Sequence, residues 1–195
     1  MAPVPRHVFK IVVTGPFAAG KTTFVKTVVD REFLTTSAGT SREDESDVKQ
    51  ATTVGMDFGA LTLEDPDGEQ GGDIELRVYG TPGQERFSFM WEVLGEGADA
   101  FVLVVDGRDD ASWPDSLAHL AVMRRMGIPG VVAVNRAVGA AVVDRAAQFY
   151  AGHGTPVLGC QAIDPDDVSD VLVTVLTQVL DRLEATTPFH QGVAR

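Results

Sequence analysis

The sequence predicts an α/β fold: one mostly parallel sheet of six strands, with a single antiparallel strand and helices on both faces. Three observations predict it. Short apolar runs recur along the chain, and segments long enough for a helix separate most of them. One pair of runs is joined by turn residues instead, which calls for a hairpin. The 195 residues, 44% of them hydrophobic, suit one substantial core rather than two.

The expected strands are "HVFKIVV" (7 to 13), "DFGALTLE" (57 to 64), "DIELRVY" (73 to 79), "AFVLVVD" (100 to 106), "GVVAVN" (130 to 135) and "TPVLGC" (155 to 160). Helices are expected in "KTTFVKTVVDREF", "SFMWEVLGEG", "DSLAHLAVMRRMG" and "AAVVDRAAQFYAGH". The second and third strands flank "DPDGEQGG", whose Pro, Asp and Gly residues supply turn chemistry, so they should pair antiparallel. In "DVSDVLVTVLTQVLDRLEA", residues Val168, Val171, Leu172, Val175, Leu176, Val179, Leu180 and Leu183 form one helical stripe, expected to pack on the sheet. The stretch from about residue 33 to 52, with "SREDESD" inside it, is too polar to bury and too long for an ordinary connection, and reads as a functional loop.

Charge narrows the partners. With 28 acidic against 16 basic residues the net charge is -12, and the one basic pair is Arg124-Arg125, so nucleic acid is disfavoured. Cys160 has no cysteine to pair with, and a reducing, cytoplasmic setting is expected. The start shows no long apolar leader, the end no lipidation cysteine, and no run approaches the roughly 20 residues a membrane span needs, so no direct insertion is expected. His7, His119, His153 and His190 lack metal spacing and read as surface or cap residues.

The chemistry concentrates in "GPFAAGKTT" (15 to 23), which fits G-x-x-x-x-G-K-[ST] between an apolar strand and a helical pattern. Gly15 and Gly20 let the backbone turn so that its N–H groups, those of Phe17, Ala18, Ala19 and Thr23 among them, face phosphates at a helix N-terminus. Lys21 would neutralise the outer phosphates, and the Thr22 hydroxyl would meet Mg²⁺. A nucleotide or phosphate ligand follows.

Together with "TTVGMDFG" and "GTPGQERF", and with "NR" after the fifth strand, this motif resembles the Ras-like small GTPases over essentially the whole chain. The combination is most similar to the small GTPase-like proteins of actinobacterial multigene operons, which resemble the bacterial gliding-motility GTPases. The resemblance implies a P-loop NTPase G domain over residues 6 to 184, followed by a short tail at 185 to 195. It also implies a switch that binds GTP or GDP with Mg²⁺. Thr53 would close over the metal and the terminal phosphate. Gly83 would contact that phosphate and Gln84 would orient the attacking water. Thr53→Ala should then leave diphosphate binding nearly intact. At the base, Asn135, Arg136, Gln161 and the Ala162 backbone N–H would surround the ring. Relatives of this type work with small roadblock-domain proteins and membrane sensor kinases, so such partners are expected, with the protein cytoplasmic or peripheral to the membrane through them, and a monomer or weak dimer.

Three positions depart from the Ras-like pattern. Gly80 stands where such proteins carry an aspartate that fixes a metal-bound water, which leaves Asp57 or Asp106 as substitutes. Phe17 stands where glycine is common; its ring either obstructs an incoming arginine and slows hydrolysis, or packs near Phe87, Phe89 or Trp91. Arg42 or Arg86 in cis are the arginines that could help hydrolysis. Val138 replaces the base-reading aspartate of Asn-Lys-x-Asp, with Asp144 too far along the next helix to stand in, so guanine preference should weaken and ATP becomes possible. The crowd of Phe87, Phe89, Met90 and Trp91 is either a partner face or inward packing. Two other readings stay open: a pseudo-GTPase scaffold, favoured by Gly80 and Val138, and an ATP-using enzyme, favoured by Val138 and Asp106.

Overall fold

In the computed structural model, residues 7–28, 34–36, 56–63 and 74–186 are described. The six expected strands are present as β1 (His7–Thr14), β3 (Met56–Leu63), β4 (Ile74–Gly80), β5 (Ala100–Asp106), β6 (Gly130–Asn135) and β7 (Val157–Cys160). A seventh, the three-residue β2 (Leu34–Thr36), lies inside the stretch read as irregular and pairs with β3 at the sheet edge. It is short and carries no alternation, so it leaves no periodic mark in the sequence. The remainder of that stretch, with Thr53 and Arg42, lies outside the described residues, as does the turn joining β3 to β4.

The sheet order is β2-β3-β4-β1-β5-β6-β7. β3 runs antiparallel to both its neighbours and every other pair is parallel. The helices are α1 (Lys21–Val28), α2 (Phe89–Gly95), α3 (Trp113–Arg125), α4 (Ala140–Tyr150) and α5 (Pro165–Thr186). The alternation along β1 divides the core: Ile11 and Val13 join Phe24 and Val25 of α1 and Val171 and Val175 of α5, while Val12 joins Trp91 of α2, Leu120 and Met123 of α3 and Tyr150 of α4. β5 and β6 are interior strands buried on both faces, which accounts for their unbroken apolar runs.

The stripe on α5 packs less completely than expected. Val168, Val171, Leu172, Val175 and Val179 are buried, but Leu180 and Leu183 are exposed. A helix of 22 residues is about 33 Å long, and the strands it packs on, β5, β6 and β7, have four to seven residues and cannot cover its whole length. The tail after Thr186 lies outside the described residues.

Candidate functional site

Parallel strands gather their C-terminal ends on one edge of the sheet, where crevices for ligands form. At that edge β1 leads through "GPFAAG" into α1, and a cavity of about 570 Å³ opens in front of it. Its walls include Phe17, Ala18, Gly20, Lys21, Thr22, Thr23, Gly83, Gln84 and Arg136, nine of the residues singled out in the sequence, with Asp57 and Thr81 among the others. The free N–H groups at the start of α1 belong to the same wall.

Lys21 is buried and held on two sides: its Nζ donates to the carbonyl oxygens of Gly15 (2.9 Å) and Pro16 (2.6 Å). An ammonium has three protons, so one remains for a ligand. Burial pushes the Lys21 amine down to about 8, although the Asp57 charge opposes the shift. Gly83 lies against this lysine. A Cβ there would stand 2.5 Å from Lys21 Nζ and 2.7 Å from the Phe17 nitrogen, so no residue but glycine fits between the two loops.

The missing aspartate at position 80 has a counterpart across the sheet. Asp57 is paired with Gly80 in register, and a Cβ on Gly80 would lie 3.0 Å from Asp57 Cβ and 3.2 Å from its Oδ2. The carboxylate of Asp57 thus fills the space that a side chain at 80 would take. Thr22 Oγ1 donates to Asp57 Oδ2 at 2.5 Å, which leaves the lone pairs of the hydroxyl oxygen free. An all-oxygen donor set beside a phosphate cradle suits a hard divalent cation such as Mg²⁺.

Asp106 does different work. Arg136 Nη1 donates to its Oδ2 at 2.6 Å, Arg108 binds it through the side chain and the backbone N–H, and its carbonyl accepts from Trp113 Nε1. Burial alone would raise the Asp106 carboxyl, but the hydrogen bonds from Arg108 and Arg136 outweigh it and hold the group below the usual carboxylate range. This carboxylate is a brace between the β5 and β6 ends.

The residues expected at the base meet as a frame behind the phosphate loop. Asn135 is buried; its Nδ2 donates to the Ala19 carbonyl (2.8 Å) and its Oδ1 accepts from Ala162 N–H (2.9 Å). The Ala162 N–H, expected at a base carbonyl, here donates to Asn135, because the two loops come close enough to bond directly. Arg136, at φ 58, turns its guanidinium back onto the Ala18 carbonyl and Asp106. Gln161 Nε2 donates to the Ala137 carbonyl, which ties the same two loops at a second point. Val138 is 80% exposed and offers no polar side-chain group.

The aromatic residues after Gln84 divide. Trp91 is buried and donates through Nε1 to the Pro82 carbonyl, while Phe89 and Val93 stand exposed. Phe17 is 72% exposed at the rim, and Arg86 lies over the Phe87 ring at 4.9 Å. His119 corrects the reading of the histidines as surface or cap groups. It is buried, stacked on Trp91, and its Nδ1 is 2.7 Å from Thr14 Oγ1. The signal was available: His119 falls on the apolar face of "LAHLAVM", three residues from Ser116 and one from Leu120, both buried.

Residues 29–153 match the family described as conserved hypothetical ATP binding protein. The chain belongs to that family. The match begins just after the phosphate motif and runs through β3 to β6 to the end of the fourth helix region. Among curated proteins, the GTP-binding protein ypt1 of Schizosaccharomyces pombe is 24% identical over 96% of this chain and 87% of its own length. The Ras-related protein Rab-1D of Dictyostelium discoideum is 25% identical over 94% and 85%. An uncharacterized protein of Methanocaldococcus jannaschii is 31% identical over half of each chain. Family and relatives together support a P-loop nucleotide-binding protein of the Ras-like, GTPase-related kind. No helix among the described residues is long and apolar enough to cross a membrane.

Proposed function

We propose that the chain is a small GTPase-like switch that binds GTP and GDP and hydrolyses GTP slowly. The observation that carries this reading is the Thr22–Asp57 contact in the place left by Gly80. It gives a chain without the usual aspartate a carboxylate at the metal side of the phosphate cradle. Thr22, Thr53 and Asp57 would hold Mg²⁺, which when bound spreads phosphate charge. The third proton of Lys21 reaches the outer phosphates, and the N–H groups of Phe17, Ala18 and Gly20 to Thr23 line the rest, while Ala19 N–H turns back to the Pro16 carbonyl. Gly83 senses the terminal phosphate by its close approach to Lys21, and Gln84 orients water beside it.

Slow turnover follows from Phe17. Its exposed ring stands at the rim of a cavity shared with Gln84, where a partner's arginine would have to enter. Residues 6 to 184 form the working domain in this reading. By the resemblance, the subfamily is the actinobacterial operon and gliding-motility type, acting in bacterial signalling through a roadblock-type regulator and a sensor kinase, in the cytoplasm or at the membrane through those partners.

A second reading has a specific basis. The Ala162 N–H is engaged by Asn135 and Val138 offers no acceptor, so two of the groups that would favour guanine are missing and ATP becomes an acceptable ligand. Gln84→Leu tests the switch. Loaded with GTP, the variant should keep its triphosphate through an incubation in which the parent converts it to GDP. Equal conversion by both proteins would remove Gln84 from the mechanism.

A further inference from the structure

Three polar side chains are buried where β1, the segment after β4, and α3 meet: Thr14, Thr81 and His119. Thr81 Oγ1 donates to Thr14 Oγ1 at 2.9 Å, and Thr14 Oγ1 lies 2.7 Å from His119 Nδ1. A hydroxyl has one proton to give. Thr14 Oγ1 accepts from Thr81 and keeps one proton and one lone pair for His119, so the Thr14–His119 bond forms in either tautomer of the ring. Burial, with the charge of Lys21 adding to it, pushes His119 down to about 3, so the ring is neutral wherever the protein works.

The same ring makes a second connection. It stacks on the Trp91 indole with centroids 3.5 Å apart and planes at 28°, and Trp91 Nε1 donates to the Pro82 carbonyl at 2.8 Å. Two lines therefore run from His119 to consecutive residues, one through Thr14 to Thr81 and one through Trp91 to Pro82. Gly83 and Gln84 come next in the chain. Thr81 is also fixed through its backbone, whose N–H donates to Val13. Apolar residues of similar shape would fill this space without the desolvation cost of three polar groups, so what the chain of hydrogen bonds adds is a single defined position.

We propose that His119 is a positioning residue for the loop of residues 81 to 84. Through its two links it holds Thr81 and Pro82, and so sets the place from which Gly83 and Gln84 meet the terminal phosphate and the attacking water. In this role His119 acts through Thr81 and Pro82. The proposal rests on the nucleotide-switch reading above.

The test uses the full chain and three variants. His119→Phe keeps a ring on Trp91 but removes the hydrogen-bonding nitrogen; His119→Asn keeps a hydrogen-bonding amide near the Nδ1 position but loses the stack; Thr14→Val breaks the hydrogen-bonded chain without touching α3. With GTP and Mg²⁺, His119→Phe and Thr14→Val should each lower kcat about tenfold, the size of one lost buried hydrogen bond, while KM and GDP affinity stay within about twofold. His119→Asn should recover part of the rate. In nitrogen-15 spectra of the nucleotide-free protein, the Trp91 indole signal should shift in His119→Phe, and amides 81, 83 and 84 should exchange faster. A parent that hydrolyses GTP alongside a folded His119→Phe and a Thr14→Val with unchanged kcat overturns the proposal, as does unchanged amide exchange in the loop. If His119→Phe does not fold, Thr14→Val decides alone. A parent that turns over no triphosphate overturns the switch reading, and the proposal falls with it.

Discussion

Replacing Asp57 by Asn removes one negative charge beside Thr22 and keeps a side-chain oxygen there. Thr22 Oγ1 donates to Asp57 Oδ2 at 2.5 Å, and the carboxylate occupies the space above Gly80, where an added Cβ would be 3.2 Å from that same oxygen. A hydrogen bond to a charged group contributes about 1.5–3 kcal/mol, or roughly ten- to hundredfold in an equilibrium constant. If this carboxylate helps to hold Mg²⁺ in the nucleotide complex, Asp57→Asn should need roughly ten- to hundredfold more Mg²⁺ to retain GTP, with metal-free GDP affinity little changed. The assay is the rate of fluorescent nucleotide release across a Mg²⁺ titration. The register pair provides a rescue: Asp57→Gly combined with Gly80→Asp moves the carboxylate from β3 to β4 at the same level of the sheet, and should recover much of what Asp57→Gly alone loses. A Mg²⁺ dependence identical to the parent's in Asp57→Asn, or a double variant no better than Asp57→Gly, would refute the reasoning.

Two further outcomes follow from the site. Because the Lys21 amine is pushed down to about 8 in the free protein and phosphate favours its charged form, nucleotide affinity should be full below pH 8. It should fall by up to about tenfold per unit above that pH, as measured by titration across pH 6.5 to 9.5. The stability term has the opposite sense: with the folded pKa below the unfolded value of 10.5, the lysine's contribution to stability improves as pH rises from about 8. Asn135→Ala removes two buried bonds and strands the Ala19 carbonyl and the Ala162 N–H, which should cost about 2–4 kcal/mol and lower Tm by roughly 4–16 °C in a thermal melt.

Much of the fold was legible because periodicity carries it. The unbroken apolar runs of β5 and β6 mark strands buried on both faces, and the turn chemistry of "DPDGEQGG" marks β3 and β4 as an antiparallel pair. β2 was not legible, since three residues contain no period, and Leu180 and Leu183 continue a periodic stripe past the edge of what the sheet covers. In the site, the phosphate motif fixed Gly15 to Thr23 by local spacing alone. The Asp57–Gly80 relation depends on strand register, which spacing does not give, so Asp57 could be weighed in the sequence but not placed. Thr14 and His119 are 105 residues apart, and only the packing of α3 against the end of β1 joins them. The bond between Ala162 and Asn135 likewise joins two separate loops, which local spacing does not reveal.

The most direct measurement of the central claim is titration of nucleotide-stripped protein with fluorescent GDP, GTP, ADP and ATP, with and without Mg²⁺, using Lys21→Ala as the blank. The account predicts Mg²⁺-dependent binding of guanine nucleotides, tighter than adenine by a margin reduced through Val138, and none by Lys21→Ala. Binding of neither base, or binding that Lys21→Ala retains in full, would contradict it.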